Sequence, residues 1–212
     1  MKIFKKILLV LLSLSLIFTV ACSNGNSNED SKVQTTGKLV SSSDADIDHT
    51  KVCFEIENYG SFTIETYPEY APQTVAHFLK LVKSGYYNGA SFEKLNHGHS
   101  LVSSNNTALS SGECRETVTG EFAANGYSND LPLTRGTFVL SYLPGEYNTA
   151  TAQFMILLGD ELGLDGKYAG FAKVVENSEV FDKIASVATN ESGIPLSPIV
   201  MKNVYIKDWF LC

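Results

Sequence analysis

The side chains able to do chemistry on their own are few in this chain and scarcely clustered. No phosphate-binding Gly-rich loop, no G-x-G-x-x-G, no G-x-S-x-G and no zinc-type cysteine pair occurs. Four histidines restrict general-base and metal chemistry further. His97 and His99 would point to one side of a strand, with Glu93 close in sequence, so a weak surface metal site is the most they offer. A closed site needs a third and fourth ligand that the sequence does not supply. The plainer reading is two polar loop residues in a Gly- and Asn-containing stretch, and neither a metal nor any other cofactor is expected. Arginine, the best fixed cationic donor, occurs only at Arg115 and Arg135.

Charge and composition narrow the classes. Sixteen Lys+Arg against 23 Asp+Glu give a formal charge of -7, and the basic residues are scattered, which argues against nucleic acid as a partner. Four cysteines in 212 residues are too few to replace a hydrophobic core, and 44% hydrophobic residues supply one.

The first segment reads as an address. Lys2, Lys5 and Lys6 precede an apolar run at 7–20, shorter than the ~20 residues of a membrane span. It ends in Thr19-Val20-Ala21-Cys22 before Ser23-Asn24, which resembles a bacterial lipobox with Cys22 as the lipid-modified new N-terminus. An ordinary signal peptide cut near Ala21, or an uncleaved anchor, would share this architecture. The expected division is a lipoprotein signal peptide at 1–21, a lipidated cysteine and Ser/Asn/Asp/Thr-rich tether at 22–50, and one domain at 51–212. That places the protein on the extracytoplasmic face of the cell membrane.

Within the domain, periodicity predicts the elements that must position any site. Val52, Phe54 and Ile56 alternate with Cys53, Glu55 and Glu57, and the alternation resumes at Phe62 and Ile64 after Asn58-Tyr59-Gly60. This is the pattern of a β-hairpin with one buried face. Pro72 opens a helix carrying Val75, Phe78, Leu79 and Val82, which stops at Ser84-Gly85. Residues 137–142, 153–158 and 171–175 read as strands, and Ser178 caps a second helix with Val180, Phe181, Ile184 and Val187. A last strand runs through Val204 and Ile206 to Trp209. Many strands with two helices predict a mainly β protein, a barrel or sandwich with helical plugs.

From Val52 onward the chain resembles a cyclophilin, the family of peptidyl-prolyl cis-trans isomerases. The resemblance rests on landmarks in order: Phe54-Glu55-Ile56, Ala71-Pro72-Gln73-Thr74-Val75-Ala76-His77-Phe78, Gly85-Tyr86-Tyr87-Asn88-Gly89, Phe92, Arg135-Gly136, Gln153-Phe154, and the run from Leu164-Asp165-Gly166 to Lys173-Val174. It implies a closed eight-stranded antiparallel β-barrel with two capping α-helices. It also implies action on proline-containing peptides, and with the export address the expected partners include unfolded exported proteins; a monomer is expected.

Residue by residue, the resemblance puts Lys94 at the family's catalytic arginine position and keeps its glutamine as Gln153. Phe92 opens the stretch that forms the substrate site. His99 and Ser100 stand at the pocket Phe and Met positions, Val102 at a substrate-binding glutamine, and Met155 at the second pocket Phe. Ser141 and Tyr142 occupy the Ala-Asn peptide-contact positions. Leu164 is kept, Gly163 replaces a large residue, and Tyr168 stands where histidine is common. Ser103 and Ser104 replace paired glycines.

Two functions follow, an isomerase weakened by the Arg-to-Lys change and a catalytically degenerate peptide- or protein-binding module. In the family the strands of Cys53 and Cys212 are antiparallel neighbours, so an exported chain admits a disulfide there; three unpaired thiols, Cys114 included, are the other state.

Overall fold

The sequence sets its first two strands as a hairpin. In the computed structural model, which describes residues 48–104 and 114–207, β1 (Lys51–Ile56) and β2 (Gly60–Thr66) pair antiparallel. Asn58 and Gly60 take left-handed backbone in the connection. Val52, Phe54, Ile56, Phe62 and Ile64 face the interior and are fully or almost fully buried.

Helix α1 (Pro72–Lys83) starts with proline at its first turn and buries Val75, His77, Phe78, Leu81 and Val82. Its own N-cap residue, Ala71, has no capping side chain. Glu121 caps it from elsewhere in the chain, accepting from the Gln73 N–H at 3.0 Å, the Thr74 N–H at 2.8 Å and the Thr74 hydroxyl at 2.7 Å. A carboxylate at a helix N-terminus satisfies orphan donors and meets the positive end of the dipole. The helix ends at Ser84, with Gly85 left-handed, as expected.

Strands β3 (Ser91–Asn96) and β4 (Ser100–Ser103) form the next hairpin. His97 and His99 are not on a strand, contrary to expectation. Left-handed Gly98 and the His99 N–H donating to the Asn96 carbonyl close a turn that takes residues 97–99 out of the ladder. Strands β5 (Thr137–Leu140), β6 (Phe154–Leu157) and β7 (Gly170–Glu176) follow, then α2 (Ser178–Ala185) and β8 (Ile199–Ile206). The cap position of α2 is Asn177, left-handed, rather than Ser178, which is the first helical residue. The Asn177 side chain donates to the Ser61 carbonyl instead of capping the helix.

The strands close in the order β1-β2-β7-β5-β6-β4-β3-β8, every pair antiparallel. The interior is aromatic: Phe54 stacks on Phe62 at 5.1 Å and Phe138 on Phe154 at 5.2 Å. Each helix sends a ring into this core, Phe78 against Phe171 and Tyr87, and Phe181 against Phe62. The expected eight-stranded antiparallel barrel with two helices is the observed fold. Cys22, Trp209 and Cys212 lie outside the described residues. Cys53 is buried on β1, opposite Thr63 and Tyr205.

Candidate active site on the outer barrel face

Strand register assembles the site. Lys94 of β3 lies opposite Val102 of β4, Val102 opposite Met155 of β6, and Met155 opposite Val139 of β5. The alternate positions, Leu101, Phe154, Ile156 and Phe138, belong to the core, so the Lys94–Val102–Met155–Val139 row runs across the outside of the barrel. Directly opposed residues have Cβ atoms about 4.5–5.5 Å apart, which puts a cation beside an apolar strip.

A bulge shapes the cationic end. Phe92 pairs with Ser103 and Lys94 with Val102, leaving Glu93 as an extra residue, and Glu93 and Lys94 both emerge to solvent. Glu93 reaches Gln153, whose Nε2 donates to its carboxylate at 2.6 Å and to the Ser103 carbonyl at 3.0 Å. Both amide hydrogens of Gln153 are thereby used. Among the described residues, the Lys94 side chain has no hydrogen-bond or ion-pair partner. The loop before β8 flanks β3, with the Leu95 N–H donating to the Gly193 carbonyl at 2.7 Å.

The apolar end is a separate small cluster. Leu133, Val139 and Leu157 are buried outside the barrel wall, and Met155, Leu164 and Tyr168 pack over them. Tyr142 lies against Tyr168, and its hydroxyl donates to the Lys167 carbonyl at 2.9 Å. Burial first, and then the neighbouring Tyr168 and Tyr147, hold that hydroxyl above the usual phenol range.

The remaining expected residues divide. Phe92 points inward, 2% exposed, edge-on to Phe154, so it supports the site from within the core and offers a peptide no surface. His99 turns outward, 74% exposed, with Nδ1 2.7 Å from the Glu161 carboxylate. Ser100 lies opposite Leu157, and its Oγ accepts from Asn96. Ser141 is held to the Gln153 carbonyl through its backbone N–H. Ser103, at the first glycine position, is fully buried, and its hydroxyl accepts from the Phe154 N–H at 2.9 Å. His97, His99 and Glu93 go to three different partners, Thr189, Glu161 and Gln153. No group of three metal-ligating side chains forms among the described residues.

Sequence reading missed Glu93 as a partner of Gln153, and it missed the floor residues Leu133, Val139 and Leu157. A signal for two of them was present. Phe138-Val139-Leu140 and Phe154-Met155-Ile156-Leu157 are unbroken apolar runs, the pattern of strands covered on both faces.

The comparisons agree with this architecture. The protein is 31% identical over 163 residues to peptidyl-prolyl cis-trans isomerase B of Escherichia coli strain K12, covering 71% of this chain and 96% of that protein. It is 35% identical over 150 residues to peptidyl-prolyl cis-trans isomerase-like 2 of Gibberella zeae, covering 70% of this chain but 25% of that longer relative. A crystal structure of a cyclophilin type peptidyl-prolyl cis-trans isomerase from Cryptosporidium parvum superposes with a TM-score of 0.67 at 23% identity, covering 76% of this chain and 99% of that one, a likeness of fold. The family model for the cyclophilin type peptidyl-prolyl cis-trans isomerases matches residues 51–206. That match runs from the first residue of β1 to the last of β8, so the whole barrel belongs to the cyclophilin-type peptidyl-prolyl cis-trans isomerase family.

Proposed function

We propose that the protein is a peptidyl-prolyl isomerase of reduced power that assists exported proteins, held to the membrane by a lipid on Cys22. Rotation about an X-Pro bond is slow because it breaks amide resonance, over a barrier of about 18–20 kcal/mol. A catalyst needs no nucleophile, acid or metal; it must bind the twisted amide better than either planar isomer. Lys94 is the donor toward the prolyl nitrogen, Gln153 holds the peptide backbone, and the floor of Met155, Leu164 and Tyr168 receives the ring. The observation that carries this reading is the cross-strand row, which sets Lys94 beside that floor. The Cryptosporidium relative was also crystallised in the presence of the dipeptide Ala-Pro, which accords with a proline-directed site on this fold.

The reduction follows from the donor. An ammonium on a flexible stem lacks the planar fork that bonds an anchor and the substrate together, and losing a preorganised donor costs about 10²–10³ in rate. One observation favours the second reading, a peptide-binding module: both Gln153 amide hydrogens are already engaged within the protein.

A protease-free isomerisation assay on the purified protein separates the two. Wild type should exceed buffer, Lys94→Ala should lose that excess, and Lys94→Arg should gain about 10-fold or more. A wild type equal to buffer, with nothing gained by Lys94→Arg, leaves the binding module. An active wild type matched by Lys94→Ala removes Lys94 as the donor.

A further inference from the structure

The apolar floor continues past Tyr168 into a row of rings. Tyr142 lies 4.8 Å from Tyr168, stacks on Phe122 at 5.4 Å and meets Tyr147 edge-on at 5.7 Å. Phe122 is buried beneath, while the three tyrosines are half-buried, and Leu143 beside them is 58% exposed.

The ledge is built rigidly. Asn148 Oδ1 accepts from the Gly120 N–H at 3.1 Å and from Asn125 Nδ2 at 2.8 Å, and the Leu143 N–H donates to Thr149 Oγ1 at 2.9 Å. Gly120 is required by space: a Cβ there would fall 2.5 Å from both Phe122 Cε1 and the Tyr147 carbonyl. The recess among Val118, Phe122, Leu140, Tyr142, Tyr147 and Ala150 holds only about 10 Å³. That is the room of a single water, so a peptide side chain must lie across the tyrosines and cannot enter between them.

Resting on the isomerase-site reading above, we infer that this ledge selects the substrate: the protein prefers proline-containing segments with an aromatic side chain flanking the proline. Tyr168 belongs to the floor and to the ledge at once, so a peptide seated at Lys94 has its neighbouring residue over the tyrosines. Pre-ordered rings bind a planar group with little further loss of conformational freedom. Ring-on-ring geometry then distinguishes an aromatic residue from a merely small one.

The test uses two fluorescent peptide series, varied at the residue before or after proline, with binding followed by anisotropy on the purified protein. In at least one series, phenylalanine or tryptophan should bind about 2- to 12-fold tighter than leucine, the range of one ring–ring contact beyond apolar burial, with alanine weaker still. Tyr142→Ala should bring that ratio close to one, and Tyr142→Phe should keep it, because the ring and not the hydroxyl is the ligand. Should Tyr142→Ala not fold, Tyr147→Ala should lower the same ratio. Equal binding of all peptides by wild type, or a preference that survives loss of the ring, overturns the ledge and leaves the proline site standing. Failure of every peptide to bind, alanine-flanked ones included, overturns both.

Discussion

Among the described residues the Lys94 ammonium has no partner, and it stands opposite Val102, whose side chain offers its charged head no hydrogen-bond acceptor. A four-carbon stem whose charged head lacks an anchoring partner must be ordered at the moment of reaction, and such a donor stabilises the transition state less than one held in advance. This gives a prediction confined to two side chains. Val102→Gln would set an amide oxygen across the strand from residue 94, so Lys94→Arg with Val102→Gln should exceed the product of the single changes. The expected coupling is about 0.5–3 kcal/mol in the isomerisation barrier, and strict additivity in the double-mutant cycle would refute it. At this scale Lys94 was legible through the resemblance, whereas its loneliness was not. Glu93 precedes it by one residue and turns to Gln153 only because a bulge brings it out on the same side.

Among the elements, α1 depends on a residue 47 positions away from its first turn. Glu121 is 2% exposed and makes three hydrogen bonds to Gln73 and Thr74. Glu121→Ala should therefore destabilise the protein by about 1–3 kcal/mol, read as a lower urea midpoint with the slope unchanged. Glu121→Gln, which keeps one acceptor oxygen, should lose less. A midpoint equal to wild type in Glu121→Ala would mean that water caps the helix equally well. Pro72 announced where this helix begins, but nothing local announced its cap. The same limit holds at α2, where Asn177 and Ser178 are both cap residue types and Asn177, left-handed, takes the cap position without its side chain capping. Capping identity is local, yet the partner that wins is decided by tertiary neighbours such as the Ser61 carbonyl.

For the molecule as a whole, the alternating strand positions and the apolar spacing of two helices were enough to predict a mainly β protein, a barrel or sandwich with helical plugs, because burial on one face writes its period into the chain; the closed eight-stranded barrel came from the resemblance. Closure was not legible that way, since register and strand order rest on pairings between distant residues. Glu176 at the end of β7 is one such tie: its carboxylate takes Lys207 at 2.6 Å and Lys51 at 2.7 Å. Those hydrogen bonds hold its pKa down at about 2. A depressed carboxylate stabilises the folded state above its unfolded value, roughly pH 4.3, and the contribution fades as pH falls toward 2. Glu176→Gln should thus lower the urea midpoint at pH 7, with the gap to wild type closing between about pH 4 and 2 and narrowing in high salt. A gap that stays constant across that window would show that the pair does not act through its charge. Closure also has a consequence in time. Val52 pairs with Ile206 and Ile56 with Met201, so the first strand waits for the last, and no stretch of the chain short of β8 can seal the barrel. Closure is therefore a contact of high sequence separation, and until β8 docks the edges of β1 and β3 stand open to any neighbouring strand.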